Sequence, residues 1–260
     1  MANKFDEIAK EYDSLFTHTQ IGIKQRLLVY NHLQNKLANK SNLNILELNG
    51  GTGEDSIWLA KKGHQVLCTD ISQEMTKEAN KKYNKPNLKF SNLDINHLAN
   101  YSFEESFDLI FSNFGGLNCL SPKEIEIFLN SAKDKLNENG RLIMVIMAKN
   151  CLWENIFYSL KREWKKAGRK KEKFAMVKVG KENIKTYYFN PKDILKTSNK
   201  SYKLQDIKPI GFFVPPSYLE PIFSKRKILL NLFYKLDLLL KSFSFLGKYS
   251  DHFLIDLERK

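Results

Sequence analysis

Several things are scarce in this chain of 260 residues. No apolar run reaches the roughly 18 residues of a membrane-spanning helix. The first ten residues hold Asp6 and Glu7 and no apolar stretch, so no secretory leader is expected. Cysteine is rare: Cys68, Cys119 and Cys151 are odd in number and form no C-x-x-C pair. That excludes a disulfide framework and a zinc knuckle, and it points to a reducing, cytoplasmic setting. Seven prolines and twelve glycines exclude a collagen-like or linker-rich chain. Arginine is also scarce, since 36 of the 42 basic residues are lysine. Reading base edges and clamping phosphate in a bidentate way both favour arginine, so nucleic acid is not the favoured partner.

What remains is ordinary globular composition, 42% hydrophobic and 27% charged. The formal charge of +13 is uneven. Residues 1–150 balance 18 basic against 18 acidic side chains, whereas 151–260 hold 24 against 11. The densest part, 161–181, carries ten basic residues against Glu163 and Glu172. Such asymmetry suits a local anionic partner, such as an acidic carrier protein or an anionic surface; a merely solvated lysine face stays open beside it.

Hydrophobic spacing sets the organisation. Phe5, Ile8, Ala9, Tyr12 and Phe16 predict a first helix, and Ile23, Leu27, Tyr30, Leu33 and Leu37 a second over 22–37. From Asn44 short apolar strands alternate with helices: strands at 44–48, 65–69, 87–90, 107–112 and 141–147, with helices between them. Alternation of this length predicts an α/β fold with a parallel, doubly wound sheet covered on both faces. After 150 the rhythm breaks. Strands are expected within 203–214 and at 252–257, and a helix over about 225–243, with helical insertions roofing the sheet. One domain is expected, with N-terminal helices at 1–40, a cofactor-binding core at 41–150, and cap insertions with the last two strands at 151–260.

Open parallel sheets bind ligands beyond the carboxyl ends of their strands. The first strand ends there in Asn49-Gly50-Gly51-Thr52-Gly53, a turn whose glycines let backbone approach a ligand and whose asparagine tolerates positive φ. The turn opens a helix with its amides facing outward. Glu47, Glu54 and Asp55 surround it and oppose a pyrophosphate. Ser56 stands where a dinucleotide fingerprint wants glycine or alanine. A cationic or zwitterionic ligand is therefore expected, and a sulfonium with an amino-acid tail fits. Asp70, ending the second strand, can accept from both hydroxyls of a ribose. Asp94, after the third, can accept from an adenine amino group. A strand-end cap remains the alternative for each.

Residues 45–147 resemble class I S-adenosylmethionine-dependent methyltransferases of small-molecule type. Ile45 to Gly53 resembles that family's first motif, Cys68-Thr69-Asp70-Ile71-Ser72 its second-strand acid, Phe107 to Phe114 its fourth-strand motif, and Asn139-Gly140-Arg141-Leu142 the turn into its fifth strand. Phe5 to Asp13 is similar to the start of many members, in which the tyrosine, here Tyr12, lies against the cofactor. Asn49 replaces the usual first glycine. The resemblance implies a Rossmann-like sheet of seven strands, mostly parallel, with the last antiparallel, and S-adenosyl-L-methionine as cofactor. It places Glu47, Asn49, Gly50, Gly51 and Gly53 about the methionine part, Asp70 on the ribose, Ile71 and Asp94 on the adenine, and Asn113 in backbone contacts. Arg26 is a candidate for the cofactor carboxylate, with a surface helix arginine as the alternative.

Methyl transfer from a sulfonium needs mainly an aligned nucleophile, and a base only if that nucleophile arrives protonated. Among His18, His32, His64, His97 and His252, only His18, between Thr17 and Thr19 beside the expected roof, is carried as a catalytic candidate. Trp153, Tyr187, Tyr188 and Phe213 are the substrate-pocket candidates, as aromatic residues of the insertions. The expected activity is methyl transfer to an oxygen, nitrogen or carbon of a small molecule. The alternatives are an RNA or DNA methyltransferase, against which Ser112-Asn113-Phe114-Gly115 lacks the Asn/Asp-Pro-Pro-aromatic pattern, and a non-catalytic module docking an acidic carrier or membrane through its basic part.

Overall fold

The computed structural model describes residues 5–260. Where spacing predicts one regular opening helix, the chain instead forms a 3-10 turn (Asp6–Ile8) and a π turn (Asp13–Thr17). Ser14 and Thr19 donate their hydroxyls to the backbone of Glu11 and Phe16, which competes with a continuous ladder. Thr19 then caps α1 (Gln20–Leu37), accepting from the Gly22 amide at 3.0 Å. There follow β1 (Asn44–Leu48), α2 (Glu54–Lys61), β2 (Gln65–Asp70), α3 (Gln73–Lys82), β3 (Leu88–Asn92), β4 (Phe107–Ser112), α4 (Pro122–Lys135) and β5 (Leu136–Met147). The rest comprises α5 (Leu152–Leu160), α6 (Trp164–Gly168), β6 (Ala175–Val179), β7 (Glu182–Thr186), α7 (Pro191–Ser198), β8 (Tyr202–Ile210), α8 (Glu220–Phe223), α9 (Lys227–Leu240) and β9 (His252–Arg259).

Seven strands form one sheet in the order β3-β2-β1-β4-β5-β9-β8. Neighbours from β3 to β5 are parallel, and β9 runs antiparallel to both β5 and β8. The expected doubly wound, seven-stranded sheet with one reversed strand is therefore observed. Successive residues of a strand face opposite sides, and both sides are apolar here. Leu46, Leu48, Ile110 and Met144 join Phe128 and Leu129 of α4 on one side. Ile45, Leu109, Phe111 and Val145 join Leu28 and Leu33 of α1 on the other. Pro209 in β8 is tolerated because β8 is an edge strand.

Two elements of 151–190 and beyond escape the helical spacing argument. The hairpin β6–β7 turns at Gly180, with φ of 60°. α7 begins with Pro191 behind an Asn190–Asp193 capping box. The expected basic run at 161–181 is also not one solvated face. Lys170 is buried, its Nζ 3.0 Å from Glu154 and 3.6 Å from Asp251. Arg169 Nε donates to Glu154 at 2.6 Å.

Candidate active site

β1 delivers Glu47 and the turn after it to the carboxyl edge of the sheet. Asn49, Gly51 and Gly53 adopt φ of 56°, 54° and 78°, so asparagine does take the left-handed shape a glycine would. Gly50 and Gly53 are packing glycines. A Cβ on Gly50 would lie 2.4 Å from Cys68 Sγ, and one on Gly53 2.8 Å from the Phe90 ring. Gly51 differs: its missing Cβ has only Tyr12 Cε1 within reach, at 3.8 Å. There the backbone opens onto free space beside a tyrosine. Gly53 stands before α2 without any side-chain cap on that helix, which leaves the first amides of α2 to a ligand.

A small open cleft lies over this turn. Among the sequence candidates it brings together Tyr12, Arg26, Asn49, Gly50, Gly51 and Asn113, and it adds Thr17, Thr52, Glu54, Asp55 and Phe114. Asp55 is the hub. Its carboxylate accepts from Arg26 Nε at 2.7 Å, Tyr30 OH at 2.7 Å and Asn113 Nδ2 at 2.9 Å. Those bonds tie α1 and the end of β4 to the turn. Asp55 precedes buried Leu59 by four residues and so shares its face; that spacing is the signal that marks it in the sequence. Arg26, the candidate for a cofactor carboxylate, is thus already paired, and its guanidinium also lies 5.4 Å from the Phe114 ring.

Glu47 lies beneath the turn, fully buried, and accepts from Ser56 Oγ. Burial, then the nearby Asp55 carboxylate, push it well above the usual carboxylate range against the Ser56 hydrogen bond and Arg26. Tyr12 is raised to about 12, chiefly by burial. Asp70 Oδ2 accepts from the Gly51 amide and Oδ1 from the Ser72 amide, both at 2.9 Å. Burial raises Asp70, and those amides oppose the rise. A carboxylate has about four acceptor sites, so each oxygen keeps capacity for a further donor. Ile71 beside it is exposed.

Asp94, His18 and the four cap aromatics are not among the residues that line the cleft, although His18 borders it at Glu54. Asp94 caps a 3-10 helix, accepting from the Asn96 amide at 2.9 Å. His18 is at the surface, its Nε2 3.6 Å from Glu54. Trp153 and Phe213 meet: the Trp153 indole donates to the Phe213 carbonyl at 3.1 Å. Tyr187 is instead buried in the core beside α4, and Tyr188 lies under Lys170, 5.1 Å from its ring centroid. Neither tyrosine reaches the cleft.

Residues 45–140 match the methyltransferase domain family. An uncharacterised methyltransferase of Staphylococcus carnosus is 25% identical over 193 residues, 74% of this chain and 86% of that protein. An S-adenosylmethionine-dependent methyltransferase from Mesorhizobium loti has a similar structure, with TM-score 0.58, 14% identity, and coverage of 88% and 97%. So has magnesium protoporphyrin IX methyltransferase from Synechocystis with bound S-adenosylhomocysteine, with TM-score 0.59, 14% identity, and coverage of 93% and 86%. Residues 45–140 thus carry a methyltransferase domain, and the sheet around it has a Rossmann-like order.

Proposed function

We propose that the enzyme passes the methyl group of S-adenosylmethionine to an oxygen, nitrogen or carbon nucleophile of a small molecule by in-line displacement. The observation that carries this reading is the cleft over Gly51, where open backbone, the uncapped start of α2 and the carboxylates of Glu54 and Asp55 meet, with Asp70 bonded to the Gly51 amide beside it. That donor set fits the cofactor. The amino-acid part lies by Asn49, Gly50 and Gly51, with Glu47 beneath them. Asp70 takes the ribose hydroxyls through its remaining acceptor sites, and Ile71 takes the adenine face. Gly53 acts through packing, and Asp94 acts on the adenine only if it gives up its cap. Tyr12 and Phe114 exclude water from the cleft, and Asn113 is held for backbone contacts by Asp55.

When bound, the cofactor supplies an electrophilic methyl group. The protein's share is then to align the nucleophile and keep water out, which supplies up to roughly 7–11 kcal/mol in favourable intramolecular cases. Trp153 and Phe213 remain the acceptor contacts proposed from the cap; they are bonded to each other but do not line the cleft over Gly51. Three free cysteines and no helix long and apolar enough to cross a membrane, among the described residues, support a cytoplasmic enzyme.

The test is a screen of a metabolite extract with labelled methyl donor. Label in a low-molecular-weight product is expected; label in RNA or protein alone would contradict the small-molecule reading.

A further inference from the structure

α9 presents an apolar ridge that nothing among the described residues covers. Ile228 is 88% exposed, Leu232 51% and Leu239 73%. At 100° per residue these three fall within about 40° of arc. Phe243 and Phe245, just beyond the helix, extend the ridge at 49% and 61%. The opposite face of α9 is committed. Leu230 packs in the core, and Asp237 accepts from the Phe213 and Val214 amides at 2.9 Å. Single exposed apolar residues are ordinary, but five large ones on one helix and the short segment after it mark an interaction surface.

Charge around the ridge has one sign. Lys225, Arg226 and Lys227 are exposed where the helix begins, and Lys235 is exposed on the ridge itself. The one acid in 225–248 is the buried Asp237. A matching partner must be apolar and anionic. A helix of 14 residues is about 21 Å long, too short to cross a bilayer of about 30 Å but long enough to lie in its surface. Lysine stems can lie along lipid while their ammonium groups reach the headgroups.

We propose that α9 and the Phe243–Phe245 segment dock the enzyme on the surface of an anionic lipid bilayer. The apolar ridge enters the boundary between headgroups and acyl chains, and the lysines at its start and on it engage anionic headgroups. Docking needs no cofactor, so it stands or falls apart from the methyl-transfer reading.

The test is co-sedimentation of the full chain with two sets of vesicles, one of phosphatidylcholine alone and one of equal parts phosphatidylcholine and phosphatidylglycerol. Binding to the anionic vesicles only, weakened by salt, is expected. The double variant Ile228→Glu/Leu239→Glu should lose at least about tenfold in affinity, and Lys227→Gln/Lys235→Gln should lose much of the anionic preference. Both variants should keep the parent's affinity for S-adenosylhomocysteine. Hydrogen exchange of the unsubstituted chain gives a second readout, with slowing by vesicles expected within 225–248. The proposal is overturned by no binding at low ionic strength, by equal binding of Ile228→Glu/Leu239→Glu, or by no slowing in that segment. It is also overturned by a dimer that the same double variant dissociates while vesicles go unbound, because the ridge then belongs to a second copy.

Discussion

Gly51 is the residue on which the cofactor reading turns. It holds φ of 54° with open space where a Cβ would stand. Gly51→Ala should cost about 1–2 kcal/mol of stability, the usual penalty for a side chain in the left-handed region, and should weaken S-adenosylhomocysteine binding tenfold or more. Urea unfolding and calorimetry separate the two effects. Asp70 yields a pH prediction. Its carboxyl is raised by burial, so it takes up a proton at a higher pH than an ordinary aspartate and then has fewer acceptor sites for ribose. Affinity for S-adenosylhomocysteine should fall on acidification, beginning above the usual carboxylate range, and Asp70→Asn should flatten that dependence. At this scale the sequence is readable where the backbone alone decides. Asn49, Gly51 and Gly53 belong to one strand-to-helix turn, and their positive φ follows from local chemistry. Arg26 is not readable in that way, since its partner Asp55 lies 29 residues on and only the packing of α1 against α2 brings them together.

The core elements are legible for the same reason: β1, β2, β4 and the second half of β5 each hold a short apolar run, and the helices between them have one apolar face. The cap is less legible because long-range polar contacts fix it. Glu220, at the start of α8, accepts from the Gln20 and Ile21 amides at 2.9 Å, thereby capping α1 from 200 residues away. Lys170 is read as part of a charge run, yet it is buried between Glu154 and Asp251. Lys170→Met should therefore destabilise the fold by about 3 kcal/mol, since it takes one cation from the buried carboxylates of Glu154 and Asp251; the denaturant midpoint checks this. Asp237 links α9 to the Phe213 loop. Burial pushes it up to about 6, against the amides of Phe213 and Val214. The folded state then holds the proton that the unfolded chain has released, so stability falls as pH rises from about 4 to about 6, by about 3 kcal/mol at most. Thermal unfolding across that window should show the loss in the parent and its absence in Asp237→Asn.

At the scale of the whole molecule, topology gathers the site. β1 and β4 are neighbours, so the glycine turn and Asn113 open on the same edge, and α1 brings Tyr30 and Arg26 against Asp55 between them. Three segments distant in sequence thus build one cleft that holds its charge ready before any ligand arrives. Calorimetric titration of the unsubstituted enzyme with S-adenosylhomocysteine examines this claim most directly. Saturable one-to-one binding at micromolar concentration, weakened by Gly51→Ala, is the result expected. Absence of binding up to high micromolar ligand, with the protein folded, would contradict it.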